Sequence, residues 1–184
     1  MTLGFMQSWP KGMAMKDDRT YFIEKINLGL WNQGLIKRIE YIDSLEEYRS
    51  KFGDNWDWKP RLHPKLHTIR IDQNDRWRPE MDIHFVINGR TKDRFQFAPV
   101  VKCVSVQEIE FYWWKPEHPE LYPNPYDDKL GDRYCDLYVD NRVLNIEEVE
   151  SLALNDGFET VEDFFRYFNE DFKGKLIHWT NLKY

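Results

Sequence analysis

Between residues 63 and 72 the sequence reads HPKLHTIRID, which sets a lysine, a threonine and an arginine at Lys65, Thr68 and Arg70. On a strand, side chains alternate between faces. Thr68 and Arg70 then point to one side with Leu66, while His67, Ile69 and Ile71 point to the other. Lys65 enters just before the strand. After Pro64 its backbone need not follow ideal alternation, so it can lean toward Thr68. An ammonium, a hydroxyl and a guanidinium near one strand end make a compact site for a polar or anionic ligand. The arginine fork suits a carboxylate, phosphate or carbonyl. A partly desolvated lysine beside an arginine loses proton affinity, which fits it to act as a base. The same residues also admit a purely structural reading, in which Thr68 is a β-branched strand former and Lys65 and Arg70 pair with acidic neighbours.

The elements that must position this strand follow from pattern and punctuation. DRTYFIEKINLGLWNQG reads as a first helix, capped by Asp18 or Thr20 and ended by Gly29 or Gly34. IKRIEYI reads as extended. DSLEEYRSKFG reads as a short helix with capping-box spacing from Asp43 to Glu46 and Gly53 at its left-handed end. DNWDWKPRLHP is a loop. The chain then turns strand-rich. KLHTIRI and DIHFVING alternate, the latter with Ile83, Phe85 and Ile87 on one face. RFQFAPVVKCVSVQEIEFYWW continues the pattern, with Pro99 dividing two strands. Four prolines make 115–133 a long loop, and YCDLYVDNRVL is a strand and turn. Two helices follow. One runs from Asn145 as N-cap to Gly157, with Ile146, Val149, Leu152 and Ala153 in one stripe. The other starts at Thr160 and turns Phe164, Phe165 and Phe168 inward. GKLIHWTNLKY closes as a strand. No strand–helix–strand alternation appears, so the expected class is α+β, a partly closed β-barrel with flanking short helices.

Charge narrows the function classes. The net charge of −6 argues against a general electrostatic grip on nucleic acid. The distribution is uneven. Residues 61–78 carry five Lys/Arg against two Asp, while 145–172 carry nine Asp/Glu against Arg166 alone. A local basic site can coexist with that solvated acidic face. Phosphate-loop, dinucleotide-fold, nucleophile-elbow and HExxH signatures are absent. The five histidines are dispersed, and Pro64 keeps His63 and His67 off a common helical face, so neither metal nor cofactor is expected. Cys103 and Cys135 sit in apolar runs and read as reduced core residues. The first residues lack a continuous apolar core and a small-residue cleavage site, and no apolar run approaches membrane-spanning length. A soluble, cytoplasmic protein with no membrane partner is expected. Trp56, Trp58, Trp77, Trp113 and Trp114 are candidates for base stacking, with packing the better account of most of the eight tryptophans.

The pattern Lys65-x-x-Thr68-Ile69-Arg70 resembles the signature strand of the ASCH domain, a member of the PUA-like β-barrel superfamily. RWRPEMDIHFVI resembles that family's step into a barrel strand, LNDGFETVEDFF its short helical turn, and IHWTNLKY its closing strand. The resemblance covers roughly residues 18–34 and 63–184, as one domain of 1–184 with insertions at about 35–62 and 115–133. It implies binding of a nucleotide, a modified nucleoside or single-stranded RNA. The ligand-facing residues would be Arg70, His67, Arg76 and Trp77. Small bacterial members similar at this motif hydrolyse acetylcytidine. Carried over by position, their catalytic set falls on Lys65 as base, Thr68 as nucleophile and Asp156 as acid or orienting group, with Arg70 or backbone donors at the oxyanion. A module that binds another protein through the acidic helices is a further alternative. Departures from the pattern are Asp156 in place of a glutamate, Pro64 before the lysine where a glycine is usual nearby, and the two insertions.

Overall fold

The computed structural model describes residues 1–53, 62–118 and 133–184. Trp56, Trp58 and most of the proline-rich loop lie outside the described residues. In chain order the described elements are β1 (Thr2–Gly4), α1 (Phe22–Asn32), α2 (Arg38–Phe52), β2 (His67–Arg70), β3 (Asp82–Ile87), β4 (Phe95–Gln96), β5 (Val101–Lys102), β6 (Ser105–Trp114), β7 (Tyr134–Val139), β8 (Arg142–Val143), α3 (Ile146–Asn155), α4 (Val161–Tyr167) and β9 (Phe172–His178).

The fold is mixed α+β. The strands form two sheets, neither closed into a barrel. In the first sheet β3 is central. It pairs in parallel with β1 and antiparallel with β4 and β5. The second sheet is antiparallel throughout, in the order β2-β9-β6-β7-β8. Period-two alternation shows in β6, whose Ile109 and Phe111 are buried while Glu108 and Glu110 are exposed. The buried face of β6 meets α4, where Phe111 packs on Phe164 and Phe168. Trp179, just past β9, sets its ring edge-on to Phe85 of β3 and so ties the two sheets together.

Several local expectations hold. Gly53 takes the left-handed conformation at the end of α2 (φ 71°). Asn145 caps α3 by accepting from the Glu148 N–H, and Thr160 caps α4 by accepting from the Asp163 N–H. Asp140 and Asn141, both at positive φ, turn β7 into β8. Cys103 and Cys135 are free thiols. No helix among the described residues is long and apolar enough to cross a membrane.

Others need correction. IKRIEYI is not extended: α2 runs unbroken from Arg38, and its opening Lys37 N–H donates to Glu40 instead of an Asp43 box. Residues 41, 45, 48 and 52 are apolar at helical spacing, and Tyr48 and Phe52 pack on Phe95 of β4. That stripe crosses the boundary at which the sequence was divided. Tyr21, in the left-handed region, occupies the N-cap of α1 in place of Asp18 or Thr20. Ile146 is exposed and off the inner stripe, because it opens the first turn of α3 beyond the sheet. β2 is shorter than KLHTIRI; Ile71 lies past its end and is exposed. The last strand stops at His178, before Trp179.

Two glycines set how closely the layers approach. In α1, a Cβ on Gly29 would lie 2.7 Å from the Lys65 carbonyl oxygen. In β9, a Cβ on Gly174 would lie 2.7 Å from the Arg70 carbonyl oxygen. The segment from Lys65 to Arg70 therefore lies close against α1 near Lys65 and against β9 near Arg70. In an exposed helix, Gly→Ala gains roughly 0.8–1.0 kcal/mol. Here the close approach reverses the sign. Gly29→Ala is expected to destabilise by roughly 1–3 kcal/mol, read as a lower urea midpoint with an unchanged slope.

Candidate functional site

β2 is an edge strand of the second sheet, with β9 on one side only. An open edge exposes unpaired N–H groups. In this fold α1 and the end of α3 close it. The Lys65 N–H donates to the Lys25 carbonyl (3.0 Å) and the Leu66 N–H to the Asn155 carbonyl (2.8 Å). The Ile69 N–H donates to Asp156 Oδ1 (3.2 Å).

Asp156 stands there because of how α3 ends. The Phe158 N–H returns to the Ala153 carbonyl and the Gly157 N–H to the Leu154 carbonyl, the paired bonds of a Schellman motif with Gly157 in the left-handed position (φ 93°). A Cβ on Gly157 would lie 2.9 Å from the Phe22 ring and 3.2 Å from Lys65 Cδ. Glycine is thus required by both backbone and space. The helix end concentrates partial negative charge on its last carbonyls. Two buried lysines meet it. Lys65 Nζ donates to the Asp156 carbonyl and Lys25 Nζ to the Gly157 carbonyl (2.7 Å).

At the centre, Lys65 Nζ lies 2.7 Å from Asp156 Oδ1, with both residues buried. The Phe22 ring covers the ammonium at 4.9 Å. Burial lowers the Lys65 pKa to about 8, and Arg70 and Lys25 push the same way, against the pull of Asp156. Burial works against the Asp156 carboxylate, but Lys65 and His67 outweigh it and hold its pKa below the ordinary value. The pair is therefore ionic at neutral pH, and its lysine gives up a proton far more readily than a free one.

The sequence candidates separate into two groups. Lys65, Asp156, His67 and Arg70 converge. His67 Nδ1 lies 3.5 Å from Asp156 Oδ1, and Arg70 feels the same carboxylate while its guanidinium donates to the Gly4 carbonyl (2.7 Å) over the Phe5 ring. Thr68 is buried beside them in β2, opposite Ile177. No hydrogen bond joins its hydroxyl to Lys65 or Asp156 among the described residues. Lys65 thus meets Asp156 together with His67, not on a shared face with Thr68. Arg76 and Trp77 stand apart. Arg76 is exposed and pairs with Asp72 (3.5 Å), and Trp77 is buried with its N–H on the same carboxylate. Trp113 anchors on the Phe168 carbonyl (3.0 Å).

Sequence reasoning missed Lys25, Phe22, Asn155 and Tyr184. Asn155 adjoins Asp156 in sequence, but Lys25 and Phe22 carry no motif, and only packing brings them to the pair. Phe22 also forms part of the wall of an open cleft of about 330 Å³, with Gln7, Arg19, Tyr21 and Tyr48. No group of three or more ligand-type side chains is placed to hold a metal ion among the described residues. No protein-family model, no curated protein and no solved structure matches this chain.

The histidines behind the pair make stability pH-dependent. His178 is fully buried with neither ring nitrogen hydrogen-bonded, and burial pulls its pKa down from 6.5 to about 3. Burial likewise lowers His67, against Asp156. Below pH 6.5 the unfolded chain binds protons that the folded one refuses. Stability is therefore full above that pH and lost as pH falls toward about 3. Well inside that window His178 contributes a slope of about 1.4 kcal/mol per pH unit. The urea midpoint should fall through this range, and His178→Phe should flatten the fall. A midpoint constant across the window would contradict the burial of these rings.

Proposed function

We propose that this chain is an ASCH-like, PUA-superfamily domain that binds a nucleotide, a modified nucleoside or a short single strand of RNA in the cytoplasm. Lys65, Thr68, Arg70 and Asp156 form the working wall of its site. The observation that supports the reading is the 2.7 Å Lys65–Asp156 contact. The ASCH resemblance pairs two residues 91 positions apart, and these two are in direct contact. In this reading the two sheets stand for a barrel left partly open. The ligand approaches from the cleft beside Phe22 and displaces that ring from the ammonium. With a net charge of −6, a small ligand or short strand is preferred over a long duplex.

A second reading is amide hydrolysis of an acylated nucleoside such as acetylcytidine. The Lys65 pKa of about 8 favours it, since a base works best with a pKa near the operating pH. The neutral fraction of Lys65 takes the Thr68 proton as the hydroxyl attacks the acyl carbon; the C–N bond then breaks, the Lys65 ammonium protonates the departing amine, and water hydrolyses the Thr68 ester to release acetate. Asp156 orients Lys65, and Arg70 or backbone N–H groups bind the oxyanion. This step requires Thr68 to turn toward Lys65 once the ligand is bound.

Incubation with acetylcytidine separates the two. Acetate release that disappears in Lys65→Ala establishes the hydrolase. Absence of turnover, with nucleoside or short-RNA binding weakened about tenfold or more by Arg70→Ala, establishes the binding domain. Binding of neither ligand class, with Lys65→Ala indistinguishable from the parent, would sink both. Circular dichroism on each variant guards against loss of fold, because removing one partner of a buried ion pair costs roughly 3–5 kcal/mol.

A further inference from the structure

Behind the Lys65–Asp156 pair lies a second polar layer that neither reading uses. Tyr184 packs edge-on to His67, and its hydroxyl lies 3.0 Å from His67 Nε2. Its backbone is held by Gln107, which accepts from the Tyr184 N–H (3.1 Å) and donates to the Tyr184 carbonyl (2.8 Å). Asn155, next to Asp156 at the end of α3, donates from Nδ2 to the Tyr184 hydroxyl (3.0 Å) and to Ser151 Oγ (3.1 Å). Its Oδ1 faces His63 Nε2 (3.1 Å).

The direction of these bonds can be worked out. Asn155 uses both amide hydrogens, one on Ser151 and one on Tyr184. The phenol oxygen accepts from Asn155 Nδ2, and His67 Nε2 is the one acceptor bonded to the hydroxyl among the described residues. Its own proton is left for His67 Nε2. A neutral imidazole that accepts at one nitrogen carries its hydrogen on the other. His67 therefore points Nδ1–H at Asp156 Oδ1, 3.5 Å away. The opposite tautomer would aim Nε2–H at the phenol, leave the phenol proton without an acceptor and set Nδ1 facing the carboxylate lone pair to lone pair.

Two donors then bond one oxygen, Lys65 Nζ and the Ile69 N–H on Asp156 Oδ1, and His67 Nδ1 faces the same oxygen at 3.5 Å without a hydrogen bond. Asp156 Oδ2 receives no donor among the described residues, and it is not one of the sealed, unpartnered polar atoms. The carboxylate thus has a pinned oxygen and a free one.

We infer that His67 and Tyr184 are positioning residues for Asp156: the Tyr184 bond sets the tautomer that turns Nδ1–H toward Oδ1, which favours Oδ1 on the Lys65 side and leaves Oδ2 as the acceptor for an N–H or O–H donor of the ligand. The inference rests on the proposed site and adds the chemistry of its ligand. The group read at this point is a hydrogen-bond donor, of the kind a nucleobase amine, its acylamide or a sugar hydroxyl supplies. Glu or Gln at position 67 would not serve, since the donor must sit at the Nδ1 position.

The test is a long-range ¹H–¹⁵N correlation of the histidine rings in the full chain, together with acetylcytidine binding. The expected result is a single Nδ1–H tautomer for His67. In Tyr184→Phe it should give way to a mixture, with acetylcytidine binding weakened about tenfold and the circular dichroism spectrum unchanged. His67→Asn, whose amide can place a donor near the Nδ1 position, should retain more binding than His67→Gln. An Nε2–H tautomer in the parent would overturn the inference whatever the binding shows. So would Tyr184→Phe binding as the parent does while Lys65→Ala loses binding, and that outcome leaves the proposed function intact. If the tautomer is as expected but Lys65→Ala also binds as the parent does, the proposed function falls and the ligand role of Oδ2 with it.

Discussion

A buried lysine held against a buried carboxylate is costly to assemble and more costly to break. Taking both charges out of water carries a large penalty, and their attraction offsets it only with good geometry and further hydrogen bonds. Lys65 and Asp156 meet those conditions through the rest of the fold. The Schellman turn at Gly157 sets Asp156 at the end of α3, and the Asp156 carbonyl accepts a further bond from the same lysine. Phe22 covers the ammonium, and Gly29 lets α1 lie against the Lys65 backbone. Removing either partner of the pair leaves the other charge buried without its compensation.

The same contacts also solve a problem of topology. β2 is the edge of a five-stranded sheet, and its outward N–H groups need partners. Asp156, Asn155 and Lys25 supply them. One carboxylate therefore caps a strand edge, neutralises a lysine and faces a histidine. Using a single oxygen for all three leaves the other oxygen uncommitted. Oδ1 is held by Lys65 and the Ile69 N–H, so the carboxylate is fixed as a structural joint while Oδ2 stays uncommitted among the described residues.

The cluster lies behind Phe22 and not at an open surface, which shapes any chemistry it performs. A low-dielectric setting brings the lysine near neutral pH and keeps His67 and His178 uncharged. The acidic surface of α3 and α4 stays outside this environment. Their charged residues pair locally, as Arg142 does with Glu148 and Arg166 with Asp163.

Much of the fold was legible in local pattern. Alternation marked β2, β3 and β6, and capping chemistry at Asn145 and Thr160 placed the starts of α3 and α4, because those signals lie within a few residues of their effects. The reading of α2 failed because its apolar stripe at 41, 45, 48 and 52 becomes visible only over the whole helix. At the site, residue types alone singled out Lys65 and Arg70, and only a family resemblance pointed to Asp156. That Lys65 shares its carboxylate with His67, and not with Thr68, was decided by the closure of β2 by α3. Lys25, Phe22 and Tyr184 carried no signal in sequence. Their roles arise from contacts between segments up to 132 residues apart, and no local pattern encodes which distant side chain will complete a buried charge.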